Sequence, residues 1–173
     1  MARYIGTYGT SRVGGAVLVA AITPGLGITE ANPNGAGPQA FFDGLADQCA
    51  ADRVGFLDGF MHTFFSTPTG QKVPESVVQD ALAVAAQGSD VALPACIRIW
   101  STDFQDDLRA VDVPVLVIHG TGDQNVPFEK SAARVPEYVP GATLVPLEDA
   151  PHGLQVSNDA AFNALLVEFV GAM

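Results

Sequence analysis

Positive charge is scarce in this chain: Lys and Arg total 8 against 19 Asp and Glu, a formal net charge of −11 at pH 7. A surface that tracks a nucleic-acid backbone needs clustered cations, so nucleic acid is excluded as a partner. The acidic excess reads as a solubility device. Cysteine is nearly absent, with 2 in the whole sequence. Neither Cys49 nor Cys96 stands in a C-x-x-C pair or a Cys/His cluster. That excludes a disulfide framework and a zinc site and leaves two free thiols, expected to be buried. Long apolar runs are missing as well; none approaches the ~18 residues of a membrane span. The run Gly14–Ile22, preceded by Arg3 and Arg12, imitates the apolar part of a secretion signal. Tyr4–Gly9 would be an oddly long and structured leader for one, so the run reads as a buried strand and the expected location is cytoplasmic.

What is there is the composition of a globular domain. Hydrophobic residues make up 48% of 173 positions and charged residues 16%, with no internal repeat and no low-complexity tract. Three segments read as strands buried on both faces: Ala16–Ile22, Val113–His119 and Ala142–Leu147. Each is short, apolar, rich in β-branched residues and bounded by Gly, Pro or Asp. Apolar strands separated by helical patterns imply a parallel sheet flanked by helices, an α/β fold. The spacing of Phe162, Leu165, Leu166, Phe169 and Val170 predicts a C-terminal amphipathic helix, and Phe128–Val135 a short crossover helix.

Between the first two strands, residues 23–100 show no convincing strand. A glycine- and proline-rich loop (Gly25, Gly27, Pro33, Gly35, Gly37, Pro38) leads into Phe41–Phe65. A further helix is predicted over Glu75–Gln87, entered at Pro74 and closed by Gly88. The expectation is a single domain over 1–173, with residues 1–22 and 101–173 as core and 23–100 as a helical cap, the place where a pocket wall would lie. Pro146 inside the third strand marks an outer sheet edge, since proline leaves one side of a ladder unfilled. The first strand carries nothing to blunt an edge and reads as interior, yet no segment here supplies its neighbour. An open edge is therefore expected, through which the chain could associate.

Two residues stand out chemically. Asp123 follows the second strand in His119-Gly120-Thr121-Gly122-Asp123-Gln124-Asn125-Val126-Pro127, where two glycines allow a tight turn that aims the carboxylate over the sheet's C-terminal edge. The plain alternative is a turn or helix-capping aspartate. His152 follows the third strand in Ala150-Pro151-His152-Gly153-Leu154, a turn suited to presenting an imidazole; the plain alternative is an exposed loop histidine. Placed after successive parallel strands, the two can converge, and a carboxylate on one ring nitrogen would fix the tautomer for general-base work at the other. His119 reads as structural. His62 either lines a pocket or packs at an interface. Asp43, Asp47, Asp52 and Asp58 lack metal-ligand spacing and read as a solvated face.

A nucleophile is not evident. A serine elbow needs G-x-S-x-G on a strand-to-helix turn, and no such run occurs. Gly9-Thr10-Ser11-Arg12-Val13-Gly14 has one residue too many and precedes a strand rather than following one. Ser66, Ser101 and Ser157 have no supporting context.

Taken together, Ala2-Arg3-Tyr4-Ile5-Gly6-Thr7-Tyr8-Gly9-Thr10-Ser11-Arg12-Val13, Thr102-Asp103-Phe104, Asp112–Gly120, Asp123-Gln124-Asn125-Val126-Pro127 and Ala150–Leu154 resemble the bacterial cofactor-free haloperoxidases and arylesterases of the α/β-hydrolase fold, with a looser match between Gly25 and Leu93. In that family the Tyr4-Ile5-Gly6 stretch corresponds to the end of the helix that begins at the nucleophilic serine. The resemblance therefore implies the C-terminal part of an α/β-hydrolase fold, with Asp123 as triad acid and His152 as triad base. It implies a parent enzyme that hydrolyses or perhydrolyses carboxylic esters through a Ser-Asp-His triad whose serine is absent from this chain. The substrate would be a small-molecule ester or carboxylic acid, without cofactor, metal, nucleic acid or membrane. The alternative is a catalytically inactive fragment acting as a binding or complementing half.

Overall fold

A computed structural model describes residues 1–173. The chain begins with α1 (Ala2–Tyr8) and β1 (Ala16–Val19), then passes through α2 (Gln39–Ala51), α3 (Arg53–Phe64), β2 (Ser66–Thr67), β3 (Gly70–Gln71), α4 (Glu75–Ala85) and α5 (Ala92–Arg98). It continues with α6 (Gln105–Arg109), β4 (Val115–Gly120), β5 (Thr143–Leu147), α7 (Leu154–Ser157) and α8 (Asp159–Gly171). Strands β1, β4 and β5 form a parallel sheet in that spatial order, with Ala16 opposite Val115 and Leu116 opposite Thr143.

The apolar runs become strands because both sheet faces are covered. Alternate residues point to opposite faces: Ala16, Leu18, Val115 and Val117 join Ile5 of α1 and Leu108 of α6 in one buried cluster. Leu116 and Ile118 face the other way, against Leu154 and the α8 residues Phe162, Leu165, Leu166 and Phe169. Val170, expected on that apolar stripe, is instead 61% exposed and takes no part in this cluster. Pro146 sits on β5, an outer strand, with its partner His119 on the inner side.

β1, read as interior, is the opposite outer strand here, paired only to β4. The amides of Ala16 and Ala20 donate to Pro114 and Ile118 at 2.9 and 3.0 Å, so by alternation the N–H groups of Val17 and Val19 face the open side. β1 also stops at Val19, short of the expected Ile22. Ala20 adopts φ 44°, which turns the chain out of the sheet plane.

The expected all-helical cap contains a small antiparallel hairpin, β2–β3, with Thr67 opposite Gly70. Its four strand residues are too few to show periodicity. The crossover expected as one helix over Phe128–Val135 is two 3₁₀ turns, Phe128–Lys130 and Ala132–Glu137. The break falls at Ser131, whose hydroxyl donates to the Pro127 carbonyl at 2.9 Å, and Pro136 denies the second turn a backbone donor. Within the cap, Ala46 and Cys49 of α2 pack on Ile97 of α5, while Met61, Phe65 and Val78 join α3 to α4. Cys49 is buried, as expected, but Cys96 is exposed. The cap aspartates are not simply solvated: Asp43 and Asp47 hold Arg98 at 3.2 and 2.6 Å. Asp52 caps α3 by accepting the Gly55 amide at 2.9 Å. No helix is long and apolar enough to cross a membrane.

Candidate active site

Parallel strands deliver their following loops to one sheet edge, and β4 and β5 are neighbours. The two loops touch through glycine. A side chain at Gly120 would put its Cβ 2.0 Å from the Ala150 carbonyl oxygen, so only glycine lets the backbones approach this closely. The Gly122 amide then donates to the Ala150 carbonyl at 3.2 Å. This seam brings Asp123 and His152 together: the imidazole Nδ1 lies 2.7 Å from Asp123 Oδ2.

The Asp123 carboxylate is fully enclosed, with 0% of its side chain exposed. Its Oδ1 accepts the amides of Asn125 and Val126 at 2.9 and 2.8 Å. Its Oδ2 faces a second imidazole, with His119 Nε2 at 3.1 Å. Burial pushes this carboxyl upward, but donors from His119 and His152, the nearby His152 charge and the Val126 amide outweigh it. The net shift is downward, so the group stands ionised beside His152. Because a carboxylate only accepts, Nδ1 of His152 carries hydrogen and Nε2 is the basic nitrogen.

His119, read from sequence as structural, is the member of this cluster that sequence reasoning missed. It is wholly buried, and its Nε2 is shared between Asp123 and the Val126 carbonyl at 2.8 Å. Both partners accept, which places the hydrogen on Nε2 and leaves the buried Nδ1 without a partner. The signal in the sequence was its spacing of four residues from Asp123, but only the turn at Gly120–Gly122 folds the aspartate back onto it.

His152 is held edge-on against the Phe64 ring, centroids 4.8 Å apart, and its Nε2 makes no hydrogen bond within the chain. It lines a cavity of about 750 Å³ between the sheet edge and the cap. Phe42, Phe56, Phe60, Trp100 and Ile22 make much of the wall apolar, while Gln48, Gln124 and Asn125 contribute amides. That size and character suit a small apolar ligand with few polar handles. Thr63 is the one hydroxyl-bearing residue among those lining it, and its Oγ1 is spent on the Gly59 and Phe60 carbonyls of its own helix.

No serine hydroxyl is hydrogen-bonded to His152. Ser101 bonds Gln39 and Ser157 bonds Asn158. Ser11 precedes β1 and so lies at the opposite end of the sheet. His62 does not line the cavity; it bridges α3 to Glu75 of α4, Nε2 to Oε1 3.3 Å. No group of three His, Cys, Asp or Glu residues could hold a metal ion. The arrangement can therefore take a proton at Nε2 and stabilise the resulting imidazolium.

Comparison with known proteins agrees with this architecture. The sequence model of the alpha/beta hydrolase fold matches residues 1–159. The chain is 37% identical over 174 residues to a non-heme haloperoxidase of Rhodococcus erythropolis, covering 98% of this chain and 63% of that protein. It is 34% identical over 174 residues to a bifunctional esterase/perhydrolase of Acinetobacter calcoaceticus, covering 98% and 62%. The crystal structure of a bromoperoxidase from Bacillus anthracis superposes with a TM-score of 0.93 at 35% identity, covering 98% of this chain and 62% of that one. The chain thus spans about three fifths of the length of the relatives it matches.

Proposed function

The chain belongs to the alpha/beta hydrolase fold family, and from that premise we propose that it supplies the acid–base part of a serine hydrolase acting on small carboxylic esters, by hydrolysis or perhydrolysis. The observation behind this reading is the 2.7 Å contact between Asp123 and His152, with the free Nε2 facing an apolar cavity. In this scheme a serine hydroxyl from outside these residues attacks the ester carbonyl while its proton passes to Nε2. The imidazolium, paired with Asp123, then returns the proton to the leaving alkoxide. Water, or hydrogen peroxide in perhydrolysis, attacks the acyl-serine with the same imidazole as base and releases an acid or a peracid. Similarity to a bifunctional esterase/perhydrolase and to haloperoxidases supports both outcomes.

The test separates the chain from the whole. Purified chain with a 4-nitrophenyl ester should give no burst of nitrophenolate, because no hydroxyl is bonded to His152. A chimera that places the chain behind the N-terminal part of the Rhodococcus haloperoxidase should hydrolyse the ester. His152→Ala in that chimera should lower kcat by at least about 10³-fold. A chimera equally active with and without His152 would overturn the assignment.

A second reading rests on the unpaired side of β1: this edge accepts a strand from another polypeptide, making the chain a binding or complementing half.

A further inference from the structure

The loop that carries His152 is gripped from the cap side as well as from the sheet. The Gly153 amide donates to the Phe64 carbonyl at 2.8 Å, crossing from the histidine turn to the end of α3. A Cβ at Gly153 would stand 2.5 Å from the Phe65 ring, and one at Gly122 would stand 2.7 Å from the Thr67 side chain. The end of α3 therefore sits against the residue after His152, and the hairpin that follows it sits, through Thr67, against the residue before Asp123.

A polar cluster closes this contact. Asp149 is three residues ahead of His152 and adopts φ 49°, a left-handed conformation where glycine is the unstrained choice. Its Oδ2 receives the Lys72 ammonium from just beyond β3 and the Thr69 hydroxyl, the latter at 2.6 Å. Lys72 also donates to Thr69 Oγ1 at 2.7 Å, and Thr67 and Thr69 share a hydrogen bond of 3.0 Å. From the opposite side, the Asp149 amide donates to Thr121 Oγ1 in the Asp123 loop at 2.9 Å. Hydrogen bonds from Lys72, Thr69 and Thr67 draw the Asp149 carboxyl down to about 2, so the ion pair is intact throughout the neutral range. Three loops meet at one residue, Asp149 of the base turn: the cap at its carboxylate and the acid loop at its backbone amide.

We propose that Lys72 and Asp149 are positioning residues, a clasp by which the cap hairpin sets the orientation of the His152 turn relative to Asp123. An ion pair this accessible contributes little to global stability. Its consequence is local: it fixes a left-handed residue and, through it, the short turn from 149 to 153. A histidine turn held only by its backbone bonds at Ala150 and Gly153 could still rotate its imidazole away from Asp123. Tied also to Thr121 and to Lys72, it has no such freedom. The inference rests on Asp123 and His152 being the working pair, but its test reads their geometry and requires no turnover, so a failed hydrolysis experiment and a failed clasp would be told apart.

The experiment is NMR on the chain with Lys72→Met, Asp149→Gly and Lys72→Arg. Asp149→Gly relieves the left-handed backbone while deleting the carboxylate, and Lys72→Met deletes the cation without touching the turn. Both should speed exchange of the Gly153 amide by about tenfold and weaken or abolish the low-field resonance of the His152 Nδ1 proton held by Asp123. Lys72→Arg should keep both signals near wild type. A general loss of stability would leave the Nδ1 resonance in place well below the unfolding transition. Unchanged exchange and resonance in Lys72→Met and Asp149→Gly would overturn the clasp. So would a change confined to Asp149→Gly, which would make the turn's own backbone, not the cap, the positioning element.

Discussion

Asp123 has more polar neighbours than one imidazole supplies: two backbone amides and His152 bond it, and His119 Nε2 lies 3.1 Å from its Oδ2. Enclosed charge is tolerated only when its acceptor sites are filled, and His119 adds a polar neighbour to those that sustain the burial of Asp123. His119→Leu should cost about 2 kcal/mol, as expected for a hydrogen bond to a charged group. A urea titration reads this as a lower midpoint at unchanged slope. His119→Gln, which restores a donor of similar reach, should recover part of it. Asp123 and His152 were legible in the sequence because each follows a strand in a glycine turn, where side chains are presented rather than packed. His119 was not, because a histidine ending an apolar strand looks like core until the turn geometry shows what lies over it. Lys72 and Asp149 were invisible for a related reason: their pairing spans the whole interval between cap and final turn.

Helices α3 and α4 meet at a titratable contact. His62 donates through Nδ1 to the Asp58 carbonyl at 2.8 Å. That bond raises its imidazole most; burial opposes it, and the charges of Glu75 and Asp58 with the Glu75 hydrogen bond complete the net rise above the usual range. A histidine raised on folding stabilises fully below its unfolded value of about 6.5, and the contribution disappears as pH climbs through the folded value. Thermal midpoints of the wild type should therefore fall relative to His62→Ala as pH rises above about 6.5; parallel profiles would show that the contact is not coupled to protonation. At this scale the three sheet strands and α8 declared themselves through apolar continuity and helical spacing. The β2–β3 hairpin did not, since Thr67, Pro68, Thr69 and Gly70 read as loop and its two-residue strands offer no pattern. The crossover expected as a helix over Phe128–Val135 stops just short of Pro136, which falls inside its second 3₁₀ turn, and it breaks at Ser131.

For the molecule as a whole, the open side of β1 opposes a net charge of −11. Exposed strand amides invite pairing, while like charge drives copies apart over roughly a Debye length. Sedimentation should show association that grows with protein concentration and with added salt. It should be suppressed in Val19→Pro, which removes an outward donor while leaving the Ala16 and Ala20 bonds to β4 intact. A chain that stays monomeric and folds cooperatively under all these conditions would remove the edge as an interface. The open edge was legible from an unblunted strand without a neighbour, whereas the cavity was not, because its wall is assembled from α2, α3 and the ends of β1 and β4. The placement of sulfur has a consequence of its own. Cys96 stands at the surface, while Cys49 lies sealed between α2 and α5 with its thiol pushed up by burial. An alkylating reagent meets one at once and the other only when those helices part, so the cap holds a built-in gauge of its own breathing.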